Sequence, residues 1–185
     1  AVGLTNTDLD HLQQLVEAGC RIASNQVQFS LLDRRPLDSG MAAFCEKQGI
    51  ELLCYGALAG GFLTDRWLGR EDPAFDGLEN RSLTKYRLVI DEYGSWADFQ
   101  GLLQALAAIA RRRGTDIAAV AVGWVLRQTG RTRVILGARR GEHAEAAAAS
   151  MRLPLSSEDV AELDARVAGR GIKGGVFEAE RAGGR

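Results

Sequence analysis

Four short stretches of this chain carry side chains suited to holding a flat, charged, phosphate-bearing ligand. Thr5 and Asn6 set a hydroxyl beside a primary amide, and Gln26 supplies a second amide. Tyr55 opens the run Tyr-Gly-Ala-Leu-Ala-Gly-Gly-Phe-Leu-Thr-Asp, where three glycines and two alanines fall within residues 56–61. Gly137-Ala138-Arg139-Arg140-Gly141 brings two guanidinium groups to a turn. Amides can pair with a carboxamide through matched donors and acceptors. An aromatic ring can stack on a heteroaromatic face, and small residues let backbone N–H groups approach phosphate. An arginine grips phosphate through two parallel hydrogen bonds. Together these are the requirements of a nicotinamide dinucleotide phosphate. Each residue alone also has an ordinary reading. Asn6 suits a turn before a helix, Gln26 a satisfied polar group on a half-buried strand, Tyr55 core packing, and Arg139 with Arg140 a solvated surface.

What joins them is their place in the chain. Val2-Gly3-Leu4-Thr5 reads as a short strand, followed by a helix with Thr7 as N-cap and Leu9, Leu12, Leu15 and Val16 on one face, closed by Gly19. A second strand is expected over Ala23–Ser30, with Val27 and Phe29 alternating against Gln26 and Gln28. A helix follows Pro36, marked by Leu37, Met41, Phe44 and Cys45 and ended by Gly49; Ile50–Tyr55 is the third strand. Residues 56–95 break the rhythm and read as a ligand-covering excursion containing at least one helical turn. Ser95 with Asp98 caps a helix bearing Trp96, Phe99, Leu103, Leu106 and Ile109, and Ile117–Val125 forms a more buried one. Arg133–Leu136 is the fourth strand, followed by helices over 142–150 and after Ser156 or Ser157; from Gly169 the tail reads as surface cover or disorder. Regular strand-helix alternation predicts parallel strands with right-handed crossovers. Four such units make half of a (β/α)8 TIM-type barrel or a small open doubly wound sheet. In either, ligands sit at the carboxyl ends of the strands, where Thr5, Asn6, Tyr55 and Gly137–Arg140 fall. Gln26 joins them if its side chain faces the barrel interior.

Composition narrows the function classes. The chain has 185 residues, 46% apolar and 25% charged, with a formal net charge of −1. That is an ordinary globular domain with no basic run, so neither nucleic acid nor an anionic membrane is implied as a partner. No apolar run reaches membrane-spanning length, and the first 20 residues do not read as a signal peptide. Cys20, Cys45 and Cys54 lack metal-ligand spacing and read as reduced thiols of a cytoplasmic protein, with no metal expected. The sequence begins at Ala1, already inside an apolar strand.

Several stretches together resemble aldo-keto reductases: Thr5-Asn6, Ser24–Asp33, Tyr55–Thr64, Val120–Leu126 and Val134–Arg139. The likeness runs through nearly the whole chain but matches only the C-terminal half of that family, from the fifth barrel strand onward. It implies NADPH, less often NADH, bound in extended form without a Rossmann sheet. By resemblance, Thr5 and Asn6 hold the nicotinamide carboxamide with Gln26 as third partner, and Tyr55 stacks on the ring. Gly56, Leu58 and Gly60 match the backbone cradle for pyrophosphate. Ala138 and Arg139 match the hold on the adenosine 2′-phosphate, and His143 lies where relatives carry Arg or Gln near that phosphate; it reads equally as a solvated residue at a helix start.

Two departures qualify the expectation. Ala146-Ala147 stands where the family carries a Glu-Asn pair on adenine. The family's tyrosine proton donor, with its lysine, aspartate and histidine, belongs to the barrel's first half, upstream of Ala1, so no catalytic residue is assigned here. Lys85 and Tyr86 are adjacent and are not expected to face a common point; His11 and Tyr93 show no obvious partner. The leading expectation is the cofactor-binding half of an NADP(H)-dependent reductase of small-molecule carbonyls. The alternative is a non-catalytic NADP(H)-binding or protein-interaction remnant. Half a barrel leaves two unpaired edges and an uncovered inner face, which predicts a homodimer, a complementing N-terminal half, or poor stability.

Overall fold

The spine of the computed structural model, which describes residues 1–138, 145, 148, 150, 153 and 155–173, is a four-stranded parallel sheet. Its strands β1 (Val2–Thr5), β2 (Ile22–Gln28), β3 (Glu51–Tyr55) and β4 (Thr132–Val134) lie side by side in chain order. Each strand pairs with the next in parallel because a helical crossover separates them. β2 and β4 start earlier and stop sooner than the sequence pattern suggests; Ser30 instead bridges back to Asp33.

Alternation sorts the two faces. Asn25, Val27, Leu52, Cys54 and Thr132 are buried beneath the helices. Ser24, Gln26, Glu51, Leu53, Tyr55 and Arg133 point the other way and are half-buried or exposed. Gln26 therefore shares the open face with Tyr55. On that face Glu51 pairs with Arg131 and Arg133, each at 3.2 Å. β1 and β4 are the sheet's edges, and Val2 and Ile135 beside them are exposed.

The helices have legible causes and two corrections. Helix α1 (Leu9–Glu17) is capped by Asp8, not Thr7: the Asp8 carboxylate accepts from the His11 amide at 2.9 Å. The helix expected after Pro36 is two pieces, α2 (Arg35–Asp38) and α3 (Met41–Gln48), parted at Gly40 with φ +82°. After β3 come three 3₁₀ turns, Ala59–Gly61, Asp65–Trp67 and Phe75–Gly77, and then a 13-residue helix α4 (Arg81–Tyr93) capped by Asn80. The excursion thus carries far more structure than one turn. Capping boxes at Ser95/Asp98 and Ser156/Asp159 start α5 (Trp96–Arg113) and α7 (Ser157–Val167), and Asp116 caps α6 (Ile117–Leu126) between them.

Trp124 anchors the core, edge-on to Phe29 at 5.7 Å, with its indole N–H donating to Asp164 at 2.9 Å. Asp159 of α7 is buried between Arg112 and Arg113 of α5. Burial pushes its carboxyl up, but the Arg112 contact, the Ser156 amide and Arg113 together hold it below the usual carboxylate range. The start of the expected loose tail is packed: Ile172 belongs to the core. Its remainder, residues 174–185, lies outside the described residues. So does most of the helix expected over 142–150, of which Glu145, Ala148 and Ser150 are helical.

Candidate functional site

The site starts where β1 ends. Asn6 adopts φ +50°, a left-handed conformation that asparagine tolerates better than most side chains. Its amide N–H donates to the Gln26 carbonyl at 2.8 Å, and its side-chain oxygen accepts from the Tyr55 hydroxyl at 3.0 Å. The second bond ties the amide to Tyr55 and so links the ends of β1 and β3. From behind, buried Asn25 donates to the Thr7 carbonyl at 2.8 Å and accepts from the Thr7 amide at 3.4 Å. Asn25 is a positioning residue that the sequence reading passed over. Its only signal is a polar side chain in the buried phase of a strand.

Thr5 is opposite Gln26, and Gln28 is opposite Tyr55, in the strand registers. Gln28 is buried and donates to Asp33 at 2.8 Å, and Arg35 grips the same carboxylate through its Nε at 2.8 Å and Nη2 at 2.6 Å. This network props the end of β2 directly beside the Tyr55 position. In it the Asp33 carboxylate is paired with Arg35, while the buried Gln28 Oε1 has no hydrogen-bond partner among the described residues.

The glycine loop is shaped by its own chain. Gly56 and Gly60 have φ of +72° and +66°. A Cβ on Gly56 would overlap the Tyr86 hydroxyl, and one on Gly60 would come within 2.7 Å of the Tyr86 ring. Tyr86 is buried and fills the room those missing side chains leave. The amides of Ala59, Gly61, Phe62 and Leu63 donate to carbonyls within the loop. Leu58 is half-buried against the core.

Lys85 and Tyr86 do meet at a common point. The Lys85 Nζ lies 5.4 Å from the Tyr55 ring centroid and 5.5 Å from that of Tyr86. A four-carbon stem lets lysine reach back across a backbone direction that separates shorter neighbours. The next residue, Arg87, is buried; it holds the Asp72 carboxylate at 2.7 and 2.8 Å and lies 5.4 Å from the Phe75 ring and 5.3 Å from Trp96. This guanidinium ties the excursion to α4 and α5. An open cavity of about 670 Å³ is lined by Arg66, Trp67 and the 69–73 segment, but not by Thr5, Asn6, Gln26 or Tyr55. The cavity and the amide–ring cluster are separate features.

The remaining polar groups sort simply. His11 pairs with Asp8 at 2.7 Å. Tyr93 lies under Arg170, and burial pushes its hydroxyl up. Cys45 and Cys54 are buried, and both thiols are pushed up to about 12, which makes them inert packing groups. Among the described residues no group of His, Cys, Asp and Glu could hold a metal ion, and no helix is long and apolar enough to cross a membrane. Ala138 is exposed just beyond β4, while Arg139 and His143 lie outside the described residues. The structure therefore brings Asn6, Gln26 and Tyr55 together and adds Asn25 and Lys85 to them.

Comparison with known proteins points one way. A model described as the aldo/keto reductase family matches residues 1–168. The protein tas of Escherichia coli strain K12 is 32% identical over 145 residues, covering 78% of this chain and 40% of that protein. L-glyceraldehyde 3-phosphate reductase of the same strain is 25% identical over 181 residues, covering 90% and 49%. A glycerol dehydrogenase from Gluconobacter oxydans superposes with a TM-score of 0.73 at 23% identity, covering 94% of this chain and 51% of its own. An aldo/keto reductase from Klebsiella pneumoniae in complex with NADP and acetate superposes at 0.63 and 21%, covering 94% and 50%. At those identities the superpositions speak for the fold. The chain spans 40–51% of the length of these relatives.

Proposed function

From the premise that this chain belongs to the aldo/keto reductase family, we propose that it is the NADP(H)-binding half of a carbonyl oxidoreductase. The supporting observation is the Tyr55–Asn6 hydrogen bond at the carboxyl ends of β3 and β1, with Gln26 on the same open face. Tyr55 offers a half-buried ring to stack on nicotinamide; Thr5, Asn6 and Gln26 offer donors and acceptors to its carboxamide. That end of the site fits the cofactor. At the phosphate end, Gly56 and Gly60 give their side-chain room to Tyr86, so Leu58 and the loop's remaining amides carry the pyrophosphate contact. Ala138, Arg139 and His143 take the 2′-phosphate, which favours NADP(H) while leaving NAD(H) acceptable.

When bound, the nicotinamide would supply a hydride to the carbonyl carbon of an aldehyde, ketone or sugar-like substrate, or accept one from the corresponding alcohol carbon. This chain's own contribution is to bind and orient. Asn6 and Gln26 fix the carboxamide, hence the rotation of the ring, and Tyr55 fixes its plane. The proton donor comes from residues outside 1–185. In this reading the sheet is half of a TIM-type barrel, and the exposed edges β1 and β4 are covered by the complementing N-terminal half or by a second copy.

Fluorescence titration of NADPH into the complete protein, with the complementing half of the barrel present, and into its Tyr55→Ala variant tests the reading. Losing the stacked ring raises Kd by roughly two- to twelvefold, from a contribution of about 0.5–1.5 kcal/mol. Equal affinity in the two proteins removes the stacking role, and absence of binding in both removes the cofactor reading altogether.

A further inference from the structure

We infer that Lys85 biases the Tyr55 site toward the reduced, uncharged nicotinamide and against the oxidised, positively charged one. The inference rests on the nicotinamide reading of Tyr55 and adds to it a residue that sets which redox state is held more tightly. Lys85 stands on α4 with its ammonium 5.4 Å from the centre of the Tyr55 ring and 5.5 Å from that of Tyr86. Such a contact draws on the negative face of the aromatic ring.

The position is set by the two residues that follow. Tyr86 is locked into the spaces of Gly56 and Gly60, and Arg87 is clamped to Asp72 and Asp91. The helix turn that carries Lys85 is therefore pinned to the loop that follows Tyr55. A nicotinamide stacked on Tyr55 shares that ring with the ammonium. In its oxidised form the ring is a pyridinium, so two like charges compete for one aromatic quadrupole and repel each other across a partly desolvated site. In its reduced form the ring is neutral, and no such repulsion exists. Half-burial of Lys85 limits screening by solvent.

The test measures dissociation constants of NADPH and NADP⁺ by calorimetry for the complete protein, complementing half included, as wild type, Lys85→Met and Lys85→Arg. Methionine keeps the length and loses the charge; arginine keeps both the charge and the ring contact. The expected result is that the ratio Kd(NADP⁺)/Kd(NADPH) falls about three- to tenfold in Lys85→Met, through tighter NADP⁺, and stays near the wild-type value in Lys85→Arg. A change in folding alters both ligands alike and leaves the ratio in place. An unchanged ratio in Lys85→Met overturns the inference even if both affinities drop, since that pattern belongs to a phosphate contact. Failure of the wild type to bind either form overturns the nicotinamide reading beneath it.

Discussion

Asn6 keeps its left-handed backbone because its neighbours over-determine it. The Gln26 carbonyl holds its amide, the Tyr55 hydroxyl holds its side chain, and Asn25 holds the next peptide group from below. Such conformations persist only where surrounding contacts outweigh their cost. Asn25→Ala leaves the Thr7 carbonyl and amide without that partner in a half-buried setting. The expected loss is about 1–3 kcal/mol of stability by urea denaturation. A loss below about 0.5 kcal/mol, the range of ordinary surface substitutions, means the turn is held by other contacts. Tyr55, Asn6 and Gln26 were legible because each lies at or near a strand end, where parallel sheets put their ligands. Asn25 was not, because a polar residue in the buried phase announces burial and says nothing of its partner. Lys85 escaped for another reason. The rule that adjacent residues diverge describes Cβ directions, and a long stem does not obey it.

At the scale of elements, α4 does the most unexpected work. Its apolar positions Leu83, Tyr86, Ile90 and Tyr93 keep helical spacing and are buried. Arg81, Lys85, Arg87, Asp91 and Glu92, interleaved with them, hid the stripe within a segment that read as a loop. The α2–α3 break was hidden by the opposite effect, an apolar pattern that runs on while Gly40 turns the backbone. The parallel strands, the Ser95/Asp98 capping box and the buried α6 followed directly from periodicity and cap residues. The last helix's cap, left between Ser156 and Ser157 by the sequence, is Ser156 boxed with Asp159. The packing of Tyr86 on the glycine loop makes one prediction. Gly60→Ala places a methyl 2.7 Å from the Tyr86 ring at φ +66°, so both overpacking and backbone strain oppose it. The expected cost is roughly 1–3 kcal/mol. In combination with Tyr86→Ala, only the overpacking is relieved, so the two changes are non-additive by at least about 0.5 kcal/mol. Strict additivity in a double-mutant cycle means the glycine serves the backbone alone.

For the whole molecule, the decisive property is a sheet with one open face and two open edges among the described residues. The open face of the sheet shows Tyr55, Leu53, Gln26 and the Glu51–Arg131–Arg133 ion pairs, and both edges lack a neighbouring strand among the described residues. Static light scattering of the 185-residue chain is expected to give a dimer, or a sample with no cooperative thermal transition. A cooperative monomer means that the half sheet is self-sufficient and that the edges need no partner. The C-terminal segment bears on any such preparation. The family match stops at residue 168. Beyond it, Arg170 bonds Asp98 at 2.9 Å and covers Tyr93, Gly171 passes the Leu32 carbonyl at φ +107°, and Ile172 is 5% exposed. The boundary drawn by ancestry and the boundary drawn by packing are therefore different lines. A fragment trimmed to the first would strip the seal from Leu32 and Tyr93, so one that keeps this part of the core extends at least through Ile172.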